Sequence, residues 1–150
     1  MLGHFGKRII FENFMTTPFR TTRRIEFADT DMAGIVHFSN FFRFMEFAEV
    51  EFLRSRGLNV KMEWEGQHIG FPRVAAACDF IKPVTFGDVV DITVTIDRIG
   101  TKSVTYAFEF SKGGEAIAKG KVTSVCCRVL ADSRLEGTEI PESYKQRLVG

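Results

Sequence analysis

One apolar helical segment followed by a run of alternating strands is the feature that most narrows the fold. From Asn40 to Arg56, Phe41, Met45, Ala48 and Phe52 fall on one helical stripe, and Phe42, Phe44, Phe47 and Leu53 widen it. Arg43, Glu46, Glu49 and Arg54 interrupt this surface without restoring a broad polar face. A helix this apolar has to be covered on most sides. Ser39 is its expected N-cap. Gly57 stands at the C′ position, and Arg54 and Arg56 complement the dipole in the last turn.

The flanking segments alternate as strands do. Thr22–Ala28 places Ile25 and Phe27 on one face and Arg24 and Glu26 on the other. After a mixed loop over 59–70, the runs Phe71–Lys82, Asp88–Ile99, Ser103–Phe110 and Ala116–Leu130 read as strands. Lys112-Gly113-Gly114-Glu115 is a hairpin turn, and Gly120 is expected to mark a bulge. Pro141–Leu148 is expected to form a short helix. One helix cannot cover a flat five-stranded sheet unless the sheet curls around it. The expected class is therefore α+β, a five-stranded antiparallel sheet wrapped around one long central helix. Such a sheet leaves open edges, which pairing with a second copy would close. Residues 1–21 read as an N-terminal extension whose Phe5, Ile9, Ile10, Phe11, Phe14 and Phe19 would dock on the domain or a neighbour. Residues 22–150 form the single domain.

Composition excludes several function classes. Twenty basic against nineteen acidic residues give a net charge of +1, unlike a dedicated nucleic-acid binder. A local basic site for one phosphorylated ligand remains compatible with it. Cys78, Cys126 and Cys127 form no C-x-x-C pair, so neither a disulfide framework nor a metal site is expected. They fit buried thiols in a reducing cytoplasm. No apolar run approaches the length of a membrane span, and the first residues lack the uninterrupted apolar stretch of a signal peptide. Sixteen phenylalanines against two tyrosines and one tryptophan supply bulk without polar handles. They suit a core and a subunit interface, or more sharply an apolar ligand slot between subunits.

The chemistry concentrates in Asp29-Thr30-Asp31-Met32-Ala33-Gly34-Ile35-Val36-His37-Phe38-Ser39-Asn40. Two carboxylates and a histidine precede a helix N-terminus, whose unpaired N–H groups and partial positive charge can stabilise an oxyanion. An ionised carboxylate beside such a place can attack an acyl group directly or through water. The bland alternative is turn chemistry, the commoner use of Asp in such loops, in which the side chains cap backbone N–H groups.

The element Asp29-Thr30-Asp31-Met32-Ala33-Gly34-Ile35-Val36, followed by an aromatic-rich helix and strands, resembles the 4-hydroxybenzoyl-CoA thioesterase family of the hotdog fold. The likeness continues in Gly70-Phe71-Pro72, in Lys82-Pro83-Val84-Thr85-Phe86-Gly87-Asp88-Val89-Val90 and in Glu139-Ile140-Pro141. The resemblance implies an acyl-CoA thioesterase in which Asp31 is the nucleophile or general base and backbone N–H groups near Phe38 polarise the carbonyl. It places the active site between subunits of a homodimer, paired further as a dimer of dimers. It also implies substrate contacts from Phe38, Glu46 and Gly70, and coenzyme A phosphate contacts from Lys102 with Arg98 as a neighbouring candidate; His37 is a further candidate substrate contact on its own chemistry. Coenzyme A enters as part of the substrate, with no separate cofactor.

This chain departs from the family at His37-Phe38, where an aromatic hydroxyl or imidazole is usual at the second position. The family histidine's role does not carry to His37, which is either a packing or surface residue or a pH-dependent substrate contact. Glu46 replaces the Asp with which the 4-hydroxybenzoyl enzyme reads its substrate's hydroxyl. His68 reads as a loop residue. A second reading of another class is a non-catalytic module that binds acyl-CoA or acyl carrier protein. A hotdog dehydratase is a third.

Overall fold

The computed structural model describes residues 17–150. The apolar residues Phe5 to Phe14 of the expected extension lie outside the described residues. In chain order the elements are β1 (Phe19–Arg24), α1 (Phe38–Ser55), β2 (Lys61–Trp64), β3 (Gln67–Gly70), β4 (Arg73–Phe80) and β5 (Val89–Ile99). They continue with β6 (Ser103–Lys112), β7 (Glu115–Val125), β8 (Cys127–Val129), β9 (Leu135–Gly137) and α2 (Glu142–Val149).

The main sheet has the order β1-β5-β6-β7-β4 and every pairing is antiparallel. Its inward residues Ile92, Val94, Val104, Tyr106, Phe108 and Phe110 are buried against Phe41, Met45, Ala48 and Phe52 of α1. Edge-on ring contacts fix the helix along the sheet, Phe41 on Phe110 at 5.4 Å and Phe52 on Tyr106 at 6.0 Å. Each such side chain taken fully from water contributes about 1.5–3 kcal/mol. The expected hotdog arrangement, a sheet wrapped on one long helix, is the arrangement observed.

Several details differ from the sequence expectation. The first strand runs over Phe19–Arg24 rather than 22–28, because its register with β5 begins at Phe19 opposite Val94. The chain then turns through a 3-10 segment at Phe27–Asp29, which leaves Ile25 buried and Phe27 78% exposed instead of sharing a face. The helix begins at Phe38, and His37 rather than Ser39 is its N-cap: the imidazole Nδ1 accepts the Ser39 N–H. Gly120 makes no bulge, since its register holds in both pairings of β7. It lies flush against α1, where an added Cβ would stand 2.3 Å from Met45 Sδ.

The stretch 59–70, expected as loop, contains the hairpin β2–β3, turned at Glu65-Gly66 with positive φ at both residues. Its strands are half-exposed, so no apolar alternation marks them. They join β8 and β9 in a second sheet of order β2-β3-β8-β9. The expected last strand is accordingly split at Cys126 into β7 and β8, and His68 lies in strand β3, exposed. The expected terminal helix is present as α2, with Tyr144 and Leu148 buried.

A carboxylic acid is enclosed with the core. Glu49 of α1 is 1% exposed, and its Oε2 accepts from Arg73 at 3.2 Å. Its Oε1 is buried without a hydrogen-bond partner among the described residues. Burial pushes the Glu49 carboxyl above its ordinary value, against the opposing pull of the Arg73 guanidinium.

Candidate active site

The loop between β1 and α1 is built by backbone bonds before any side chain is placed. Ile25 N–H donates to Asp88 O at 2.8 Å, which ties the end of β1 to the start of β5. Asp31 N–H then donates to Ile35 O at 2.8 Å and Gly34 N–H to Asp31 O at 2.9 Å, closing a tight turn. Gly34 has a φ of +79°, which a side chain would resist. Val36 N–H donates to Val84 O at 2.9 Å, fixing the turn against the segment that follows β4.

The two carboxylates of this loop are used differently. Asp29 is 9% exposed, and its Oδ2 accepts the Glu26 N–H at 2.8 Å with the Arg23 guanidinium 3.7 Å away. Its carbonyl oxygen accepts both the His37 N–H at 2.9 Å and the Asn40 side-chain amide at 2.8 Å. Asp29 is thus a structural knot. Asp31 is half-buried, and its Oδ1 accepts the Ala33 N–H at 2.8 Å. Its second oxygen makes no hydrogen bond among the described residues and is available for chemistry. Turn chemistry therefore occupies one oxygen of this side chain and leaves the other without a hydrogen bond among the described residues.

A donor count at the start of α1 singles out one amide. The Ser39 N–H is taken by His37 Nδ1 at 3.2 Å, and the Asn40 N–H by His37 O at 2.9 Å. The Ser39 hydroxyl also bonds His37 Nδ1, at 2.7 Å. The Phe38 N–H, at the first helical position, has no partner among the described residues. It sits where the helix dipole adds to its own positive end.

Asp31 and Phe38 line the same cavity, of about 390 Å³. Phe41, Phe80, Ile81, Pro83 and Val84 supply most of its apolar wall. Phe80 stands edge-on to Phe41 at 5.3 Å and to Phe38 at 6.4 Å, so three rings surround one apolar space. Lys82 also lines it and forms an ion pair with Glu115. The segment Phe80–Val84 escaped sequence reasoning as a site element. Its signal was Pro83, which follows β4 and directly precedes Val84, whose carbonyl accepts the Val36 N–H.

The remaining candidates are dispersed within one chain. His37 is exposed and stacks on Phe38 at 4.7 Å, serving as the cap. Glu46 is exposed on α1 and Gly70 is buried at the end of β3; neither lines the cavity. Arg98 and Lys102 flank the β5–β6 turn, whereas the Asp31 loop is bonded at the opposite end of β5. The eleven residues of β5 separate the two ends by about 30 Å. Among the described residues no group of three or more His, Cys, Asp or Glu side chains could hold a metal ion, and no helix is long and apolar enough to cross a membrane.

Comparison with known proteins places this architecture. Residues 25–148 match the family model described as the thioesterase-like superfamily. A protein of Aquifex aeolicus described as a putative esterase is 34% identical over 124 residues, spanning 75% of this chain and 95% of the relative. A 1,4-dihydroxy-2-naphthoyl-CoA hydrolase of Nostoc punctiforme is 31% identical over 130 residues, spanning 87% of this chain and 86% of the relative. Among solved structures, a gentisyl-coenzyme A thioesterase superposes with a TM-score of 0.74 at 32% identity, covering 87% of this chain and 99% of that one. With a family match that runs from the end of β1 into α2 and takes in the whole Asp31 loop, this chain belongs to the thioesterase-like superfamily.

Proposed function

We propose that this chain is an acyl-CoA thioesterase that hydrolyses small or medium acyl-CoA esters, aromatic ones included, to the free acid and coenzyme A. One observation carries the reading: Asp31 and Phe38 line the same apolar cavity, and among the described residues one Asp31 carboxylate oxygen and the Phe38 N–H have no hydrogen-bond partner. The acyl group would lie among Phe38, Phe41 and Phe80, with its carbonyl oxygen on the Phe38 N–H. Asp31 then attacks the thioester carbon itself or takes a proton from an attacking water. In either case negative charge gathers on the carbonyl oxygen, where one preorganised donor contributes about 3–4 kcal/mol. Collapse expels the coenzyme A thiolate. On the direct route a water then hydrolyses the acyl–Asp31 anhydride. The names of relatives described as coenzyme A thioester hydrolases support this reaction class.

The same reading calls for a second subunit. Arg98 and Lys102, the phosphate-binding candidates, lie an entire strand away from Asp31 in one chain. Among the described residues strand β4 ends the sheet with its outer edge unpaired, and Val74 to Ala77 along it are exposed. Antiparallel pairing of two β4 edges about a two-fold axis brings the Arg73 end of one against the Phe80 end of the other. The partner's β5–β6 turn then adjoins the Asp31 cavity. The three cysteines, all free, fit a cytoplasmic setting.

A panel of aliphatic and aromatic acyl-CoAs with a thiol reagent tests the activity. Asp31→Asn is expected to fold normally and to lower kcat by about 100- to 10,000-fold on the best substrate. Tight binding without thiol release across the panel would instead make the chain a binding module.

A further inference from the structure

We propose that Asn40 is a positioning residue: its side-chain amide holds the Phe38 N–H in register with the Asp31 carboxylate. The inference rests on the thioesterase reading and adds a residue to it. Asn40 is the third residue of α1, where an amide side chain ordinarily reaches back to the N–H of the cap residue. Here the His37 N–H is already bonded to Asp29 O, and the Asn40 amide joins it on that same oxygen. One carbonyl therefore collects a bond from the helix cap and another from the helix's first turn.

That carbonyl is itself anchored. The Asp29 carboxylate accepts the Glu26 N–H and stands beside Arg23, whose guanidinium lies 5.4 Å from the Phe44 ring centre and 5.9 Å from that of Phe47. Both rings belong to α1, so the base of the loop and the helix are linked on two sides. Asp31 follows Asp29 by two residues, and Phe38 follows His37 by one. A slip of α1 against Asp29 O would change the spacing between the reacting carboxylate and its oxyanion donor. Asn40 does not line the Asp31 cavity. It borders a separate polar one of about 320 Å³ with Arg23, Asp29 and Arg43. Substitution there leaves the acyl wall intact, so substrate binding and turnover should respond differently.

Asn40→Asp keeps the size and removes the donor, whereas Asn40→Gln keeps the amide. On the best acyl-CoA of the parent enzyme, Asn40→Asp should lower kcat by about 10- to 100-fold with KM changed by less than about threefold. Asn40→Gln should retain more kcat than Asn40→Asp at an equal thermal midpoint. The His37 amide should exchange with solvent at least about tenfold faster in Asn40→Asp, measured by hydrogen exchange. A kcat within about twofold of the parent, or a loss that simply follows the thermal midpoint in both variants, overturns the proposal. Should Asn40→Asp not fold, Asn40→Ala is held to the same criteria. If the parent turns over no thioester, the thioesterase reading fails on its own, and unchanged His37 exchange overturns the clamp independently.

Discussion

At position 31 a single carboxylate has two oxygens with different duties. Oδ1 holds the turn through the Ala33 N–H, and the other oxygen has no hydrogen-bond partner among the described residues, in a side chain that lines the cavity. The proposed donor, the Phe38 N–H, is main-chain and cannot be removed by trimming a side chain. Proline offers a way, because at the first position of a helix it is tolerated and lacks an N–H. His37 already has the extended backbone that a following proline requires, with φ −63° and ψ 134°. Phe38→Pro is therefore expected to fold and to fall about 100- to 1,000-fold in kcat below Phe38→Ala, which loses the ring and keeps the amide. Steady-state kinetics on the two variants, with circular dichroism to check α1, decides it. The sequence marked Asp31, because a carboxylate just ahead of a helix is readable from residue type. The work of Asp29 was not readable, since its carbonyl is claimed by residues eight and eleven positions away.

Between elements, the contact that most limits variation is that of α1 with β7. At Gly120 the helix approaches so closely that an added Cβ would meet Met45 Sδ at 2.3 Å and Ala77 O at 3.1 Å. Gly120→Ala is expected to cost about 1–3 kcal/mol by overpacking. The urea midpoint should fall without a change of slope. The apolar helix and the inward-facing strands were legible because burial imposes a period on the sequence. The hairpin β2–β3 was not, because half-exposed strands carry little period and are held by pairing with β8. The helix start was misplaced by two residues for a comparable reason. Serine is the commoner cap, and only the fold shows that the imidazole of His37 takes the Ser39 N–H instead.

Across the whole molecule, two predictions separate folding from assembly. Burial raises the Glu49 carboxyl above its ordinary value of 4.5, so the folded state holds that proton more tightly than the unfolded chain. Glu49 therefore stabilises the fold less as pH rises from about 4.5 through its raised folded-state value, and no further above it. Urea unfolding across that window should show Glu49→Gln gaining stability relative to the parent as pH rises. A constant difference would count against the burial argument. The second prediction concerns the proposed sharing of the site between two subunits. Refolding a mixture of Asp31→Asn and Lys102→Ala chains gives hybrids with one doubly impaired and one intact site. An equal mixture should recover about a quarter of parental activity, whereas sites confined to one chain recover none beyond the sum of the two variants.

The sequence by itself determined the elements that burial makes periodic: one enclosed helix, the strands that wrap it, and a carboxylate placed just before the helix begins. These follow from neighbours close in the chain, whose spacing is all that burial needs. Tertiary structure alone decided which amide of the first turn is left without a partner among the described residues, which carboxyl side chain is enclosed in the core, and that Phe80 to Val84 line the cavity. Those outcomes depend on bonds and contacts between residues far apart in the chain, and no local pattern encodes such a partner.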